Sequence, residues 1–218
     1  MQLRVLSDAI CPWCYIGRQH MLAALAMLEG EGLRFTVSWR PYQLNPDMPA
    51  AGLPRDEYRR AKFGSLARSR ELDAQVASAA AAAGLAINHS RMLRTPNTVD
   101  AHRLAALAEG QGHGDAVVAR LFQDYFVDGR DIGSPAVLAD AAAAAGMDRA
   151  EVAAFLAGDA GRAEVLAEDA ALRQAGVRGV PTFVLGNRVL FSGAVPADTF
   201  AEALSRAARL HAAQAAAS

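Results

Sequence analysis

The sequence contains little cysteine and almost no net charge. Its 218 residues include 22 Lys and Arg against 23 Asp and Glu, which leaves a formal net charge of −1. Because no positive excess attracts phosphate groups, neither nucleic acid nor an anionic membrane is expected as a partner. The two cysteines are too few to hold a fold together by disulfides, whereas 52% hydrophobic residues can supply a buried core.

Long apolar stretches are also absent. No stretch approaches the ~18 uncharged apolar residues that a membrane span needs. The apolar stretch before Cys11 is too short for the core of a signal peptide. We therefore expect a cytoplasmic protein. With about 150 residues as a guide to domain size, the length favours one elaborated domain over two independent ones.

Strand patterns occur near both ends of the chain. Leu3–Leu6 is a short β-type run, a helix begins near Pro12, and Arg34–Tyr42 alternates like a half-buried strand. Near the C-terminus, two β-rich runs flank Gly186-Asn187, which predicts an antiparallel hairpin followed by a last helix. The order βαβ…ββα predicts one α/β domain with a sheet.

The middle of the chain has a different composition. Residues 46–175 are rich in Ala, Leu, Arg and Glu, which favour helix, and Gly, Pro or Asn separate the helical segments. We predict a sheet domain made of residues 1–45 and 176–218, with residues 46–175 as a large all-helical insertion. The predicted inserted helices are Arg55–Gly84, Thr98–Glu109, Asp115–Val127, Ala136–Ala145, Arg149–Leu156 and Gly161–Ala175.

Both cysteines lie in one motif, Cys11-Pro12-Trp13-Cys14, where the first strand gives way to a helix. The free N–H groups and the dipole at a helix N-terminus stabilise a thiolate on Cys11. Cys14 lies one turn deeper, within bridging distance. We expect Cys11 to be the surface-facing, attacking sulfur and Cys14 to resolve the mixed disulfide.

A zinc site and an inert buried pair are the alternatives for these cysteines. Zinc would need about two further ligands, and the five histidines show no paired spacing, so no metal is expected. An inert pair is disfavoured because Pro12 and the strand-to-helix junction place Cys11 at an end that faces the surface.

Three motifs carry a family resemblance. They are Cys11-Pro12-Trp13-Cys14-Tyr15-Ile16-Gly17, Asn97-Thr98 with Ala101-His102-Arg103, and Gly176-Val177-Arg178-Gly179-Val180-Pro181-Thr182. Together they resemble the DsbA family of thioredoxin-fold oxidoreductases, in particular its FrnE-like branch, over essentially the whole chain. The resemblance implies a thioredoxin fold with a helical insertion.

The resemblance also implies roles for residues outside the cysteine motif. Pro181 would be the cis-proline that faces the cysteine pair, and Val180 would present its backbone to an extended substrate. The helix that starts near Thr98 would cover the active-site face, so Asn97, His102 and Arg103 are candidate substrate-binding residues.

Trp13 departs from the family's best-known members. Strongly oxidising DsbA-type proteins have histidine at this position, and without that cation the Cys11 thiolate loses a stabilising partner. We therefore predict a reduction potential more negative than the roughly −120 mV of DsbA. Some FrnE-like relatives have a second cysteine pair near the C-terminus, and this chain has none.

Two further features allow more than one interpretation. Asp8, three residues before Cys11, is either a proton acceptor for Cys14 or a helix N-cap or turn residue. The segment after residue 54 is locally basic, but acidic residues alternate with the basic ones, which is typical of a solvated helix face. The basic residues are Arg55, Arg59, Arg60, Lys62, Arg68 and Arg70, and the acidic ones are Asp56, Glu57, Glu71 and Asp73.

These features favour a thiol–disulfide oxidoreductase or isomerase that acts on peptides or small thiols and requires no cofactor. The first alternative is a glutathione-dependent isomerase or transferase. The chain also resembles 2-hydroxychromene-2-carboxylate isomerases and kappa-class glutathione transferases, which activate glutathione with a serine near the position of Cys11. Glutathione therefore stays open as a co-substrate, and a homodimer stays open as the assembly. The second alternative is a non-catalytic chaperone or partner-binding module.

Overall fold

The computed structural model describes the backbone of residues 1–216 and the side chains of residues 1–210. In chain order the elements are β1 (Gln2–Ser7), α1 (Pro12–Gly30), β2 (Thr36–Pro41), β3 (Leu53–Pro54), α2 (Arg55–Phe63), α3 (Leu66–Ala82), β4 (Arg94–Thr95), α4 (Val99–Gly110), α5 (Gly114–Phe122), a π-helix (Gln123–Val127), α6 (Pro135–Ala144), α7 (Arg149–Ala157), α8 (Arg162–Gln174), β5 (Thr182–Leu185), β6 (Arg188–Ser192) and α9 (Ala197–Ala216).

The terminal segments form one four-stranded sheet in the order β2-β1-β5-β6. β1 runs parallel to β2 and antiparallel to β5, with Val5 opposite both Trp39 and Phe183. The hairpin β5–β6 is antiparallel and has an irregularity after Phe183. Helices α1 and α9 pack against each other. The predicted order βαβ…ββα and the predicted hairpin are confirmed.

The insertion is helical, with three local differences from the prediction. The expected helix Arg55–Gly84 divides into α2 and α3, because Gly64 has φ +83° and the Ser65 hydroxyl caps α3 by accepting from the Arg68 N–H. The expected helix Asp115–Val127 ends in the π-helix. The insertion also contains the two-residue antiparallel pair β3–β4, which has no signal in the sequence.

A single hydrophobic core joins the sheet to the insertion. Buried residues from β1, such as Leu3 and Val5, belong to the same cluster as Leu104 of α4 and Leu138 of α6. Helices α4, α5 and α8 pack on β2. The division of the chain at residues 45 and 176 is therefore one of topology, and the domain boundaries stay a prediction.

An aromatic cluster connects the cysteine motif to the insertion. The ring of Tyr15 stacks on Phe126 with centroids 5.4 Å apart, and Phe122 meets the Trp39 ring edge-on at 6.3 Å. Each such pair contributes about 0.5–1.5 kcal/mol beyond the area it buries. The cluster holds the first turn of α1 against the π-helix.

None of the helices in the described part of the chain combines the length and the apolar character needed to cross a bilayer.

Candidate active site

The cysteine motif begins the first helix of the sheet domain. β1 ends at Ser7, and a turn follows in which the Cys11 N–H donates to the Asp8 carbonyl at 3.0 Å. Cys11 is the N-cap of α1 with extended backbone, and Pro12 occupies the first helical turn. The Cys11 side chain makes no capping hydrogen bond, so its sulfur lies at the positive end of the helix without being used as a cap.

The loop before β5 lies against this sulfur. The Val180–Pro181 peptide bond is cis, and the Cys11 thiol donates to the Val180 carbonyl at 3.6 Å. The Pro181 carbonyl accepts from the Gly193 N–H at 2.8 Å, and the Thr182 hydroxyl donates to Gly179 at 2.8 Å. These bonds hold the loop beside the cysteine.

Both cysteines are free thiols and both are buried, Cys11 to 2% exposure and Cys14 to 1%. The expectation that Cys11 faces the surface is wrong, because its thiol lies against the Val180 carbonyl and at the wall of a cavity. Burial raises the pKa of the Cys14 thiol well above its ordinary value, and the neighbouring Cys11 raises it further. The polar Ser7 side chain and Asp8 backbone lower the pKa of Cys14, but they do not overcome the effect of burial. Cys14 therefore stays protonated at neutral pH until a group removes its proton.

Cys11 reaches solvent through a cavity of about 330 Å³ between the sheet domain and the insertion. One wall is the cysteine motif with Gly179 and Val180 of the cis-proline loop. The opposite walls come from α2, α3, the segment around His89 and Met92, and the π-helix. Trp13 is 42% exposed and lies at this cavity. A substrate sulfur can thus approach Cys11 while Cys14 stays covered.

Part of the basic segment faces this cavity. Arg55, Arg59 and Lys62 line it together with Asp73 and His89. Arg55 and Arg59 both bind Asp73, at 2.8 and 2.6 Å. For Arg55 and Arg59 the expected solvated helix face is wrong, because their side chains are largely covered, whereas Lys62 lines the cavity and is exposed as expected.

The other three basic residues of the segment, Arg60, Arg68 and Arg70, are exposed as expected. A helical spacing shows which of these residues share a side, but it does not show what that side packs against.

Asp8 is buried completely beneath the motif. Its Oδ2 accepts from the Leu44 N–H at 2.7 Å, which ties the end of β1 to the loop after β2. Its Oδ1 lies 3.5 Å from Nε2 of His102, and neither atom has a hydrogen-bond partner among the described residues. The N-cap interpretation is wrong because Cys11 takes that position, whereas the turn interpretation fits the backbone bond to Cys11. The proton-acceptor role stays a prediction.

Asn97 and Arg103 do not line the cavity that contains Cys11. The Asn97 amide donates to Met48 and accepts from the Val99 N–H, so it fixes the start of α4.

Arg103 is fully buried, and its guanidinium donates to Asp100, to the Phe155 carbonyl at the end of α7, and to the carbonyls of Gly158 and Ala160 that follow it. The predicted substrate contact by Arg103 is therefore wrong, since its charged group is used inside the fold. His102 lines a smaller cavity of about 90 Å³ on the side of Trp39. Among the side chains of residues 1–210, no group of three His, Cys, Asp or Glu is placed to hold a metal ion.

Known proteins with this architecture include redox enzymes. A family model described as the DSBA-like thioredoxin domain matches residues 2–205. The crystal structure of a probable DsbA oxidoreductase from Streptomyces coelicolor is 34% identical, with 95% of this chain and 89% of that chain covered and a TM-score of 0.84.

Two more distant structures are similar in fold alone. The cytosolic disulfide reductase DsbM from Pseudomonas aeruginosa, solved with GSH, is 22% identical over 96% of this chain and all of that chain, with a TM-score of 0.68. A 2-hydroxychromene-2-carboxylate isomerase is 18% identical over 100% of both chains, with a TM-score of 0.69. The thioredoxin-like α/β fold with a helical insertion, implied by the resemblance, is confirmed.

Proposed function

This chain belongs to the DSBA-like thioredoxin domain family, and we propose that it is a thiol–disulfide oxidoreductase that works through Cys11 and Cys14. The observation that carries the proposal is the placement of the two sulfurs. Cys11 lies at a helix N-terminus, beside the Val180 carbonyl and in a cavity, and the buried Cys14 follows one turn later. This arrangement separates an attacking sulfur from a resolving one.

The reductive half of the cycle uses both cysteines in sequence. The Cys11 thiolate attacks one sulfur of a substrate disulfide, forming the Cys11–substrate bond while the substrate disulfide breaks and its second sulfur leaves as a thiol. Cys14 then loses its proton and attacks the Cys11 sulfur. This releases the second substrate thiol and leaves a Cys11–Cys14 disulfide. Two electrons pass from the protein to the substrate, and the reverse sequence oxidises a dithiol substrate.

The Val180–Pro181 loop supplies the place for the substrate backbone. In this proposal an extended peptide or the peptide bonds of a small thiol lie along Val180 in the manner of an added strand, with the scissile sulfur at Cys11. The substrates are disulfide-containing peptides or small thiols, glutathione being a candidate among the latter. The fold-level likeness to a cytosolic disulfide reductase supports a cytoplasmic setting.

The glutathione-dependent isomerase is the second candidate, and the fold shared with a 2-hydroxychromene-2-carboxylate isomerase favours it. The retention of cysteine at both motif positions favours redox chemistry instead, because isomerisation needs one activated thiol donor and has no use for Cys14. Isomerisation of a chromene substrate that survives Cys14→Ser would support this candidate. A non-catalytic chaperone would require activity that is unaffected by replacing both cysteines.

Single cysteine variants test the proposed function. We expect Cys11→Ser to abolish thiol–disulfide exchange, and Cys14→Ser to form a mixed disulfide with substrate that persists and is detected by mass spectrometry. Thermal unfolding of both variants should match that of the unsubstituted chain. Exchange that continues at the normal rate in Cys11→Ser would refute the assignment.

A further inference from the structure

The cavity beside Cys11 contains more positive than negative side chains. Arg55, Arg59 and Lys62 line it from α2, and Asp73 is the one carboxylate residue lining it among those described. Both arginines share that single carboxylate. Even with both ion pairs formed, two positive charges lack a counter-charge within the cavity lining.

Lys62 is the cation with the least compensation. Its ammonium donates to the Tyr58 hydroxyl at 2.6 Å and to Asn45 Oδ1 at 3.0 Å, and both acceptors are neutral. No carboxylate of the described residues lies within ion-pair distance of it. An ammonium has three N–H donors, so one remains for a ligand. Lys62 is also exposed, which places it where the cavity opens to solvent.

Arg59 lies deeper and has donors to spare. Its Nε donates to the Ser69 hydroxyl at 2.7 Å, and one terminal nitrogen donates to the Ser69 carbonyl and to Asp73. The other terminal nitrogen makes no hydrogen bond to a described residue. Burial lowers the pKa of Arg59 despite Asp73, as expected for a cation that has lost water without full compensation.

His89 lines the same cavity, and its pKa is affected by the same cations. Burial is the main cause of its lowered pKa, and the cations Arg55 and Arg59 lower it further, against the opposing effect of Asp73. Partly desolvated cations gain most from a ligand that brings its own negative charge. A carboxylate that bound between Lys62 and Arg59 would supply it.

We propose that Lys62 and Arg59 form a carboxylate subsite that selects disulfide substrates with a carboxylate close to the reacting sulfur. The inference rests on the proposed function of Cys11. A cavity of about 330 Å³ is at the small end of ligand pockets, so it suits a small acidic thiol or one acidic side chain of a peptide. Both sources share the same carboxylate chemistry.

The test compares disulfides of opposite charge. The reduced chain is mixed with oxidised glutathione, which is anionic, or with cystamine, which is cationic, and oxidation of Cys11 and Cys14 is followed by tryptophan fluorescence. Lys62→Glu replaces attraction by repulsion at an exposed position, so the second-order rate constant with oxidised glutathione should fall about tenfold. The rate constant with cystamine should rise.

Arg60→Glu is the matched control, because Arg60 is exposed on the same helix and does not line the cavity. Arg60→Glu should leave the ratio of the two rate constants within about twofold of the ratio for the unsubstituted chain, since an exposed charge outside the cavity is screened by solvent and salt. An equal change of the ratio in Arg60→Glu and Lys62→Glu would overturn the inference. So would a ratio that Lys62→Glu leaves unaltered.

Two further measurements complete the design. Peptides with one intrachain disulfide and either Glu or Gln beside a cysteine show whether the subsite also accepts protein segments. A Lys62-dependent preference for the Glu peptide, for oxidised glutathione or for both supports the subsite and identifies its source of carboxylate. The neutral hydroxyethyl disulfide tests the proposed function separately. If none of these disulfides oxidises the reduced chain, the proposed oxidoreductase function is refuted. If all of them oxidise it at rates that do not depend on their charge, only the carboxylate subsite is refuted.

Discussion

Replacing Asp8 separates its structural role from its predicted role in proton transfer. Asp8 is fully buried and accepts from the Leu44 N–H at 2.7 Å. Asp8→Ala leaves that N–H without its partner, which should cost about 1–3 kcal/mol of unfolding free energy. Asp8→Asn keeps an acceptor oxygen and replaces the buried carboxylate by a neutral amide. Its free energy of unfolding should therefore fall by less than about 1 kcal/mol.

The effect on the reaction should differ from the effect on stability. Cys14 has a raised pKa because it is buried, so its attack on the mixed disulfide needs a base to take its proton. The Asp8 backbone lowers the pKa of Cys14 and accepts from the Cys11 N–H, so the Asp8 carboxylate belongs to the turn that leads into the cysteine motif. If that carboxylate is the base, both Asp8→Ala and Asp8→Asn should slow resolution about 100-fold.

The assay forms the mixed disulfide with oxidised glutathione and follows its decay by acid quenching and mass spectrometry, with urea unfolding measured in parallel. Asp169→Asn is the matched control. Asp169 is also buried and accepts from the neighbouring Gln43 N–H at 2.9 Å. Asp169→Asn should not alter the rate at which Cys14 resolves the mixed disulfide. Resolution at the normal rate in Asp8→Asn would refute the proton-transfer role and leave Asp8 as a structural residue.

Two other predictions concern the cysteines and the helix that carries them. At pH 7 iodoacetamide should modify Cys11 in the reduced chain and leave Cys14 unmodified. The reason is that a raised pKa keeps Cys14 protonated until the pH is well above about 8.5. Peptide mapping measures the labelling of each cysteine, and equal labelling would contradict this prediction. Gly17→Ala would place a methyl group 3.0 Å from the Pro181 ring, a strain of about 1–3 kcal/mol that should exceed the ~1 kcal/mol gain in helix propensity. Gly30→Ala, on the same helix with nothing within 4 Å of the added carbon, should instead stabilise the chain. Urea unfolding measures the free energy of unfolding of both variants. A stabilised Gly17→Ala would contradict the expected clash and show that the loop containing Pro181 can move.

The sequence predicts the parts of the site that depend on local pattern. Pro12 marks the start of α1, the alternation in β2 marks a strand, and the turn Gly186-Asn187 marks the hairpin, because each follows from short-range backbone preferences. The position of the cysteine pair follows from the strand-to-helix junction.

The remaining features depend on long-range packing. Arg103 and Lys62 are both cations on amphipathic helices, yet Arg103 is buried among carbonyls and Lys62 lines the cavity. Their difference arises from how α4 and α2 pack against other elements, which residue spacing does not encode. Cys11 is buried for the same reason, since its thiol lies against Val180, far later in the chain, and shares a cavity with residues of the insertion.

The most direct test of the central claim is a redox titration of the Cys11–Cys14 pair against glutathione, followed by thiol counting. We predict a single two-electron transition that consumes both thiols, at a potential more negative than the roughly −120 mV of DsbA and in the isomerase-to-thioredoxin range of about −180 to −270 mV. A potential at or above −120 mV would contradict the effect assigned to Trp13. The absence of any transition involving both cysteines would contradict the claim that this pair is the redox centre.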